Sequence, residues 1–141
     1  MIFNLRNATD DDLDLTFKIK KKCLQKYLEM LWGWNEEAQA DFHQEHYQKE
    51  RIQIIETQKK SIGYLEIELY ENHIYLANLM ILQQFRGQGI GKVIMEGLIK
   101  NYPNIQLEVL KVNHIAKHFY EGFDFLIFEV LEDSFRMKIG L

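Results

Sequence analysis

The stretch that most constrains this chain runs from Leu79 to Lys92, where an apolar segment ends in a glycine-rich turn that opens directly into a helical pattern. Gly89 and Gly91 leave backbone N–H groups unblocked by side chains, and the first turn of a helix has N–H groups without internal partners. The helix dipole adds partial positive charge, and Arg86 and Lys92 add full charges. The stretch therefore predicts an anion-binding site, for example for the diphosphate of a nucleotide-like cofactor.

Spacing decides which kind of phosphate loop this is. A dinucleotide fingerprint needs its third glycine where Lys92 stands, and a Walker loop needs Ser or Thr at Val93, so both fail. The pattern Arg-x-x-Gly-x-Gly at Arg86, Gly89 and Gly91 does match, and it resembles the acetyl-CoA signature of the GNAT superfamily of N-acyltransferases. An apolar run before the motif and a periodic helix after it argue against a flexible hairpin turn. The apolar positions of that helix are Ile90, Val93, Ile94, Gly97 and Leu98.

A second block agrees with the first. Leu107-Glu108-Val109, followed by the pattern Asn113-x-x-Ala116-x-x-Phe119-Tyr120-Glu121, resembles the second GNAT motif at the expected distance after the glycine turn. The similarity is specific from about Leu76 to Phe125. Two departures stand out: Asp124 occupies a position where glycine is common and can adopt a left-handed turn less easily than glycine, and Gln83 replaces a frequent proline.

The order of elements predicts the class, and the resemblance implies the fold. Helical and strand patterns mix, with a meander of strands first and one strand-helix-strand unit at the centre, which predicts an α+β protein with a mixed sheet. The resemblance implies a GNAT-like, mostly antiparallel central sheet of six to seven strands flanked by about four helices. It further implies a V-shaped splay between the fourth and fifth strands, all in a single domain over residues 1–141.

The resemblance also implies a set of site residues for acetyl-CoA as co-substrate. The pantetheine arm would pair with the backbone of the strand end, the pyrophosphate would sit on the glycine turn, Asn113 would touch the cofactor arm, and Tyr120 would lie near its sulfur. The residues so implied are Leu79, Met80, Ile81, Arg86, Gly87, Gln88, Gly89, Ile90, Gly91, Lys92, Asn113 and Tyr120.

Two residues are candidates for proton transfer. Glu108 and Tyr120 stand at positions similar to the base and the acid of the ribosomal-protein N-terminal acetyltransferases of this superfamily. A carboxylate can take the proton of an ammonium group, and a phenol can protonate a departing thiolate. The base remains open, because Glu66, Glu68 or His73 could also reach an acceptor through water.

Composition narrows the partners. The chain has 141 residues, 47% of them hydrophobic, and a formal net charge of −4 with acidic and basic residues interspersed. This predicts one compact domain and no nucleic-acid partner. No apolar run is long enough to span a bilayer and the first residues lack a signal-peptide pattern, so we expect a cytoplasmic protein with no membrane partner, as a monomer or a homodimer. The single cysteine, Cys23, lies in an apolar helical pattern and is expected in the core.

The front half reads as two helices and a meander. Thr9 is a plausible cap for a helix that starts near Asp10, with an apolar line at Leu13, Phe17, Leu24, Leu28 and Leu31. Gly33 should end that helix and Asn35 should cap the next, which carries Ala38 and Phe42. Asn113 can likewise cap a short helix in the second half of the chain. Strands are expected at Ile52–Glu56, Ile62–Tyr70, His73–Leu82 and Ile105–Val109, and a last hairpin at Phe123–Leu131 and Phe135–Ile139. In the second of these strands Tyr64, Glu66 and Glu68 share one face, which is expected to be solvated.

The acceptor site is the least constrained part. Trp32 and Trp34 flank the helix break and are either staples between two helices or walls of an acceptor pocket, with Glu36, Glu37 and Asp41 just beyond. The pairs His43/His46 and His114/His118 lack a third ligand and are expected on solvated helix faces, so no metal site is predicted.

These features predict an N-acetyltransferase that moves an acetyl group directly from acetyl-CoA to a primary amine, preferably of a small molecule. The alternatives are a peptide N-terminal or lysine acetyltransferase and a non-catalytic acyl-CoA sensor on the same fold.

Overall fold

The computed structural model describes residues 2–58 and 60–141 and shows an α+β protein built on one mixed sheet. Its strands follow one another across the sheet in the order β1-β2-β3-β4-β5-β7-β6. The strands are β1 (Asn4–Asn7), β2 (Ile52–Thr57), β3 (Lys60–Leu69), β4 (Ile74–Ile81), β5 (Ile105–Leu110), β6 (Leu126–Val130) and β7 (Ser134–Ile139). The α-helices are α1 (Leu13–Leu31), α2 (Glu36–His46), α3 (Ile90–Asn101) and α4 (His114–Glu121). The predicted strand and helix numbers are confirmed.

Strand pairing fits the predicted mixed sheet. Antiparallel ladders join β1 to β2, β2 to β3, β5 to β7 and β6 to β7, whereas β4 and β5 run parallel. The parallel ladder runs from the pair Ile74 and Ile105 to the pair Leu76 and Leu107. Both strands continue past the last pair, β4 to Ile81 and β5 to Leu110, as the expected splay between these strands requires.

The chain falls into two compact units, one formed by Met1–Glu66 with Asn78–Lys92 and the other by Ile67–Ala77 with Val93–Leu141. The core of the first unit joins side chains of α1, β2, β3 and β4: Ala8, Ile19, Cys23, Ile52, Ile54, Tyr64, Met80 and Leu82. Cys23 is a buried free cysteine in this core, as the apolar pattern predicted. Tyr64 belongs to the same cluster and is fully buried, so the expectation that it shares a solvated face with the strand glutamates is wrong. Its face is covered there by α1 residues.

The first helix is capped as predicted but buries a different line of side chains. Thr9 and Asp12 form a reciprocal capping box around a 3₁₀ turn at Asp10–Asp12, and α1 then begins at Leu13. The fully buried line is Thr16, Ile19, Cys23 and Tyr27. The predicted apolar line is only partly buried. Within it, Phe17 stacks on Trp34, in the segment between the helices, and its ring also contacts His43 of α2.

The second helix begins where expected, since the side chain of Asn35 accepts a hydrogen bond from the backbone N–H of Ala38. Gly33, with φ of +83°, ends the preceding helix in the left-handed conformation. The predicted apolar face is wrong at Phe42, which is 52% exposed, and the prediction of a solvated His43 is wrong as well. His43 is buried because its Nε2 lies 2.8 Å from the Thr16 hydroxyl under α1, which supplies a polar partner inside the fold.

The second unit has its own core, formed by side chains of α3, α4 and the strands beside them. Its buried members include Ile74, Leu76, Ile94, Met95, Leu98, Ile105, Leu107, Val109, Tyr120, Phe125 and Met137. Met95 takes the buried place that the helical pattern assigned to Val93, which is exposed. Asp124 adopts φ of +70°, so the aspartate does form the left-handed turn that the motif needs. The last hairpin is shorter than expected, with β6 starting at Leu126.

None of the helices in residues 2–58 and 60–141 combines the length and the apolar character that a membrane crossing requires.

Candidate active site

The glycine turn has the geometry that the sequence predicts. After β4 the chain makes a 3₁₀ turn at Gln83–Phe85, and α3 begins at Ile90. Between them Gly87 and Gly89 have φ of +77° and +86°, which L side chains rarely adopt. A Cβ on either glycine would meet no heavy atom within 4 Å, so the turn is open and its backbone is accessible. Such an exposed turn at a helix N-terminus fits a diphosphate.

The end of β4 is held by polar contacts of Arg86 and Cys23 with the Ile81 carbonyl and by a hydrogen bond from Leu82, the residue after the strand. Arg86 Nε donates to the Ile81 carbonyl over 2.7 Å, and its Nη2 lies 3.5 Å from Cys23 Sγ. The backbone N–H of Leu82 donates to the Ile62 carbonyl over 2.8 Å. Burial raises the pKa of the Cys23 thiol, and the guanidinium opposes this only in part, so the thiol is a packing group rather than a nucleophile. Through its hydrogen bond to the Ile81 carbonyl, Arg86 connects the glycine turn to the end of β4.

Gly63 explains how β4 sits against its neighbour. A Cβ at this position would collide with the Met80 carbonyl oxygen, so only glycine lets the two backbones come this close. The carbonyl belongs to the segment Leu79–Ile81 that the resemblance assigns to the cofactor arm. Any larger residue at Gly63 would displace that segment.

The second motif positions Asn113 and Tyr120 at the two ends of α4. The Asn113 side chain accepts from the Ala116 N–H over 3.1 Å and caps the helix, as predicted. Tyr120 is buried at the other end, in edge-to-face contact with Phe119 and Phe125. Burial alone raises the pKa of its hydroxyl. The phenol therefore keeps its proton at neutral pH, which is the state that a general acid needs.

Glu108 lies in an open cleft of the second unit. Its carboxylate accepts a hydrogen bond from the Ser134 hydroxyl over 2.9 Å, and Ser134 is itself buried on the neighbouring strand. The cleft has a volume of about 610 Å³ and is lined by Glu68, Tyr70, His73, Tyr75, Gln106, Glu108, Glu129, Leu131 and Arg136. Three of the four predicted base candidates, Glu108, Glu68 and His73, thus share one cleft.

The fourth candidate base, Glu66, does not line that cleft. It belongs to the first unit, and its Oε1 accepts a hydrogen bond from the Asn78 amide over 2.7 Å. Asn78 is on β4, directly before the segment that is assigned to the cofactor arm. Glu66 is therefore a neighbour of that segment's strand and is not one of the cleft carboxylates.

The two tryptophans differ in their environment. Trp34 stacks on Phe17 at 6.5 Å between ring centroids, and its indole N–H donates to Glu36 over 2.8 Å. Glu36 also forms an ion pair with Lys21 at 2.9 Å. Trp32, by contrast, is 64% exposed. Trp34 thus takes part in packing α1 against α2, while Trp32 presents its ring to solvent.

A comparison with protein-family models identifies the family. The model described as Acetyltransferase (GNAT) family matches residues 15–125. The chain belongs to the GNAT acetyltransferase family. Acetyl-CoA-dependent N-acetyl transfer is the activity of that family, so this GNAT chain is assigned to the acetyltransferases as an enzyme class. No curated protein sequence shows significant similarity to it.

Solved structures share the GNAT fold at low sequence identity. The PaiA N-acetyltransferase of Thermoplasma acidophilum, solved in complex with coenzyme A, superposes with a TM-score of 0.80 at 17% identity over 100% of both chains. The ribosomal-protein-S18-alanine N-acetyltransferase of Escherichia coli gives 0.70 at 18% identity, covering 98% of this chain and 93% of its own. Naa50 of Arabidopsis thaliana, bound to the bisubstrate analogue CoA-Ac-MVNAL, gives 0.67 at 18% identity over 100% of both chains.

The sequence reading missed several cleft residues of this GNAT protein. Tyr75, Gln106, Glu129 and Arg136 carry no motif, and they are brought together only by the pairing of β4, β5, β7 and β6. The one signal in the sequence was alternation, since Gln106 and Glu108 occupy the positions of β5 that point away from its buried residues. Strand alternation shows which side chains share a face of the sheet, but it does not show which residues of other strands lie beside them.

Proposed function

We propose that this protein transfers an acetyl group from acetyl-CoA directly to a primary amine of a small molecule. One observation carries the proposal: the open glycine turn with left-handed Gly87 and Gly89, placed between β4 and α3 in a chain of the GNAT family. Two kinds of acceptor are compatible with the family, a small amine and a peptide amine. A cleft of about 610 Å³ is in the range typical of small-molecule sites, and it favours the small amine.

The residues present fit the diphosphate of acetyl-CoA. The turn offers backbone N–H groups at a helix N-terminus, and the empty space at the glycine Cβ positions would be filled by any side chain. In this proposal Arg86 to Lys92 hold the pyrophosphate, the backbone of Leu79 to Ile81 holds the pantetheine arm, and Asn113 touches that arm. Arg86 also keeps the strand end in place through the Ile81 carbonyl.

The proton transfers are assigned to two side chains. Glu108 removes a proton from the acceptor ammonium, directly or through water, which leaves a nitrogen lone pair for attack on the thioester carbonyl carbon. The new C–N bond forms as the C–S bond breaks, and Tyr120 donates its proton to the departing sulfur. The attacking nitrogen then loses its second proton, which restores the Tyr120 phenol through solvent, and Glu108 returns its own proton to solvent. A neutral phenol with a raised pKa and a carboxylate oriented by Ser134 suit these opposite tasks.

The acceptor surface has two candidates. The first is the exposed ring of Trp32 with Trp34 at the break between α1 and α2, as the sequence suggested. The second is the cleft that contains Glu108. We assign the reacting amine to the cleft because the candidate base lies there, and Trp32 and Trp34 stay a prediction for further contacts of the acceptor. Cytoplasmic location and a monomeric or homodimeric state also stay predictions.

An acceptor screen tests the proposal. The purified protein is given acetyl-CoA and a panel of monoamines, diamines, aminoglycosides, amino acids and short peptides, and thiol release is measured. Release that depends on an amine, together with an acetylated amine by mass spectrometry, is the expected result. Tight binding of acetyl-CoA without release with any acceptor would indicate an acyl-CoA sensor instead. Release with peptides but not with free amines would replace the small-molecule acceptor by a peptide.

A further inference from the structure

The cleft around Glu108 is strongly acidic in its lining. Three carboxylates face it from three different strands, Glu68 on β3, Glu108 on β5 and Glu129 on β6. One guanidinium, that of Arg136, accompanies them, and it forms an ion pair with Glu129 at 2.9 Å. The formal charge of the lining, with His73 neutral, is therefore negative by two.

Hydroxyl groups orient the other two carboxylates. Ser134 donates to Glu108 over 2.9 Å, and Tyr70 donates to Glu68 over 2.7 Å. A hydroxyl donor fixes the direction of a carboxylate without cancelling its charge. Both carboxylates are thus presented to the cleft in defined orientations. That arrangement suits the recognition of a positively charged group.

The pKa of Tyr75 is affected by burial and by the charges of both Glu108 and Glu68. Burial raises the pKa of its hydroxyl, and the charges of Glu108 and Glu68 raise it further, ahead of the opposing effect of Arg136. Both carboxylates therefore act on the same point in the cleft. A cation placed there would be stabilised by both.

Aromatic rings complete the walls near Glu68. Tyr70 and His73 stack almost parallel, with ring centroids 5.0 Å apart and an interplanar angle of 10°. A tyrosine face beside a carboxylate is a favourable surface for an alkylammonium group, because the ring quadrupole attracts the cation and the ring covers its methylenes.

Resting on the proposed N-acetyltransferase activity, we propose that the acceptor is a dication: an aliphatic amine with a second ammonium group. The reacting amine lies at Glu108, and the second ammonium is recognised at the end of the cleft formed by Glu68, Tyr70 and His73. Simple monoamines lack the second contact. Amines with a carboxylate would meet Glu68 with like charge and would be rejected.

Three acceptors of equal chain length test this inference: a linear α,ω-diamine, the corresponding monoamine and the corresponding ω-amino acid. We expect kcat/KM for thiol release to be at least about tenfold higher for the diamine than for the monoamine, with the ω-amino acid lowest. Equal values for diamine and monoamine, or preference for a peptide N-terminus, would overturn the inference while leaving the acetyltransferase activity intact.

Two conservative variants locate the preference. Glu68→Gln should reduce the diamine-to-monoamine ratio of kcat/KM to about one third or less, chiefly through KM, since the second contact is lost. Glu45→Gln, at an exposed position near the end of α2, serves as the matched control and should leave the ratio unchanged. A ratio that stays unchanged in Glu68→Gln, or that falls equally in Glu45→Gln, would overturn the assignment of the second ammonium to Glu68.

Calorimetry separates the two levels of the proposal. Diamine binding to the protein is titrated in the absence of acetyl-CoA, for the wild type and for Glu68→Gln. If no acceptor supports thiol release but the wild type binds the diamine more tightly than the variant, the activity is wrong and the cation site stands. If thiol release occurs and the diamine binds no better than the monoamine, the activity stands and the cation site is wrong. The comparison of acceptors on the wild type needs no variant, so a misfolded Glu68→Gln would not prevent a decision.

Discussion

At the scale of single residues, Tyr120 shows how burial can suit a side chain to acid catalysis. Because its pKa is raised by burial alone, the hydroxyl stays protonated over the working pH range. Tyr120→Phe removes only that hydroxyl and keeps the ring contacts with Phe119 and Phe125. We expect kcat to fall about a hundredfold while the affinity for acetyl-CoA changes little.

Tyr102→Phe is the control for this prediction, since Tyr102 is partly exposed just after α3 and outside both motifs. Its kcat should match the wild type. Calorimetry gives the acetyl-CoA affinity, and single-turnover kinetics show that chemistry is the slow step. An unchanged single-turnover rate in Tyr120→Phe would return the residue to a packing role.

His43 makes stability depend on pH. Burial, with help from the Lys20 ammonium, lowers its pKa from 6.5 to about 4. Between these values the unfolded chain binds a proton that the folded protein does not, so the free energy of unfolding falls as pH drops from 6.5 toward 4. The loss attributable to this group is up to about 3 kcal/mol, and none is expected from it above the unfolded pKa.

Urea unfolding at a series of pH values measures that dependence. His43→Gln should flatten the change of unfolding free energy across the window between pH 6.5 and about 4, whatever its effect on absolute stability. His46→Gln, at an exposed histidine of the same helix, should keep the wild-type slope. The same steep slope in both variants would show that carboxylates, and not His43, cause the acid sensitivity.

At the scale of elements, the glycine turn offers a matched pair of positions. Gly89 and Gly33 have φ of +86° and +83°, and a Cβ added to either would have no heavy atom within 4 Å. Valine at either site therefore costs similar backbone strain, on the order of 1–3 kcal/mol. Gly89→Val should weaken acetyl-CoA binding at least about tenfold, because its side chain would occupy the proposed diphosphate site. Gly33→Val should leave acetyl-CoA binding unchanged.

Isothermal titration with acetyl-CoA, together with melting temperatures, decides the matter. Similar destabilisation with affinity lost in Gly89→Val alone is the expected pattern. Near-normal affinity in Gly89→Val would show that the diphosphate does not bind at the glycine turn.

The break between α1 and α2 gives a second prediction at this scale. Trp34 stacks on Phe17 and donates to Glu36, so Trp34→Ala should lower the melting temperature by several degrees, as expected for a loss of about 1–3 kcal/mol. Trp32→Ala should cost little stability, because that ring is mostly exposed. If the helix break also contacts the acceptor, KM for the amine should rise in Trp32→Ala with KM for acetyl-CoA unchanged. Unchanged KM for both substrates would leave the tryptophans outside the acceptor site.

Local chemistry explains which elements could be predicted from the sequence. Thr9, Asn35, Asn113 and Gly33 act within their own turns, and all four caps or stops are where the sequence placed them. Burial on α1 could not be predicted as well, since two faces of that helix are covered and one of them holds Thr16. The sequence also placed His43 wrongly on a solvated face, because its polar partner, Thr16, is 27 residues away in sequence.

At the scale of the whole molecule, the two motifs could be recognised in the sequence, whereas the cleft could not. The cofactor residues lie in two contiguous segments with diagnostic spacing, so the family and the fold could be predicted from them. That these residues bind acetyl-CoA stays a prediction. The acidic cleft draws one or two residues from each of β3, β4, β5, β6 and β7 and others from the adjoining loops, and only the order of strands in the sheet brings them together. Spacing along the chain contains no such information.

The charge of the whole molecule gives a last prediction. The chain carries a net charge of −4, and the cleft lining is acidic as well, so a cationic acceptor is attracted by both. Salt screens exposed charges beyond about 10 Å at 0.1 M. Raising sodium chloride from about 0.05 M to about 0.3 M should therefore raise KM for the amine about threefold or more, with KM for acetyl-CoA within about twofold, because oriented backbone groups hold the diphosphate at short range. Sucrose at equal osmolality controls for water activity and should leave both constants unchanged. A parallel rise of both KM values would show that salt weakens the binding of both substrates alike and would contradict an electrostatic capture that is specific to the acceptor.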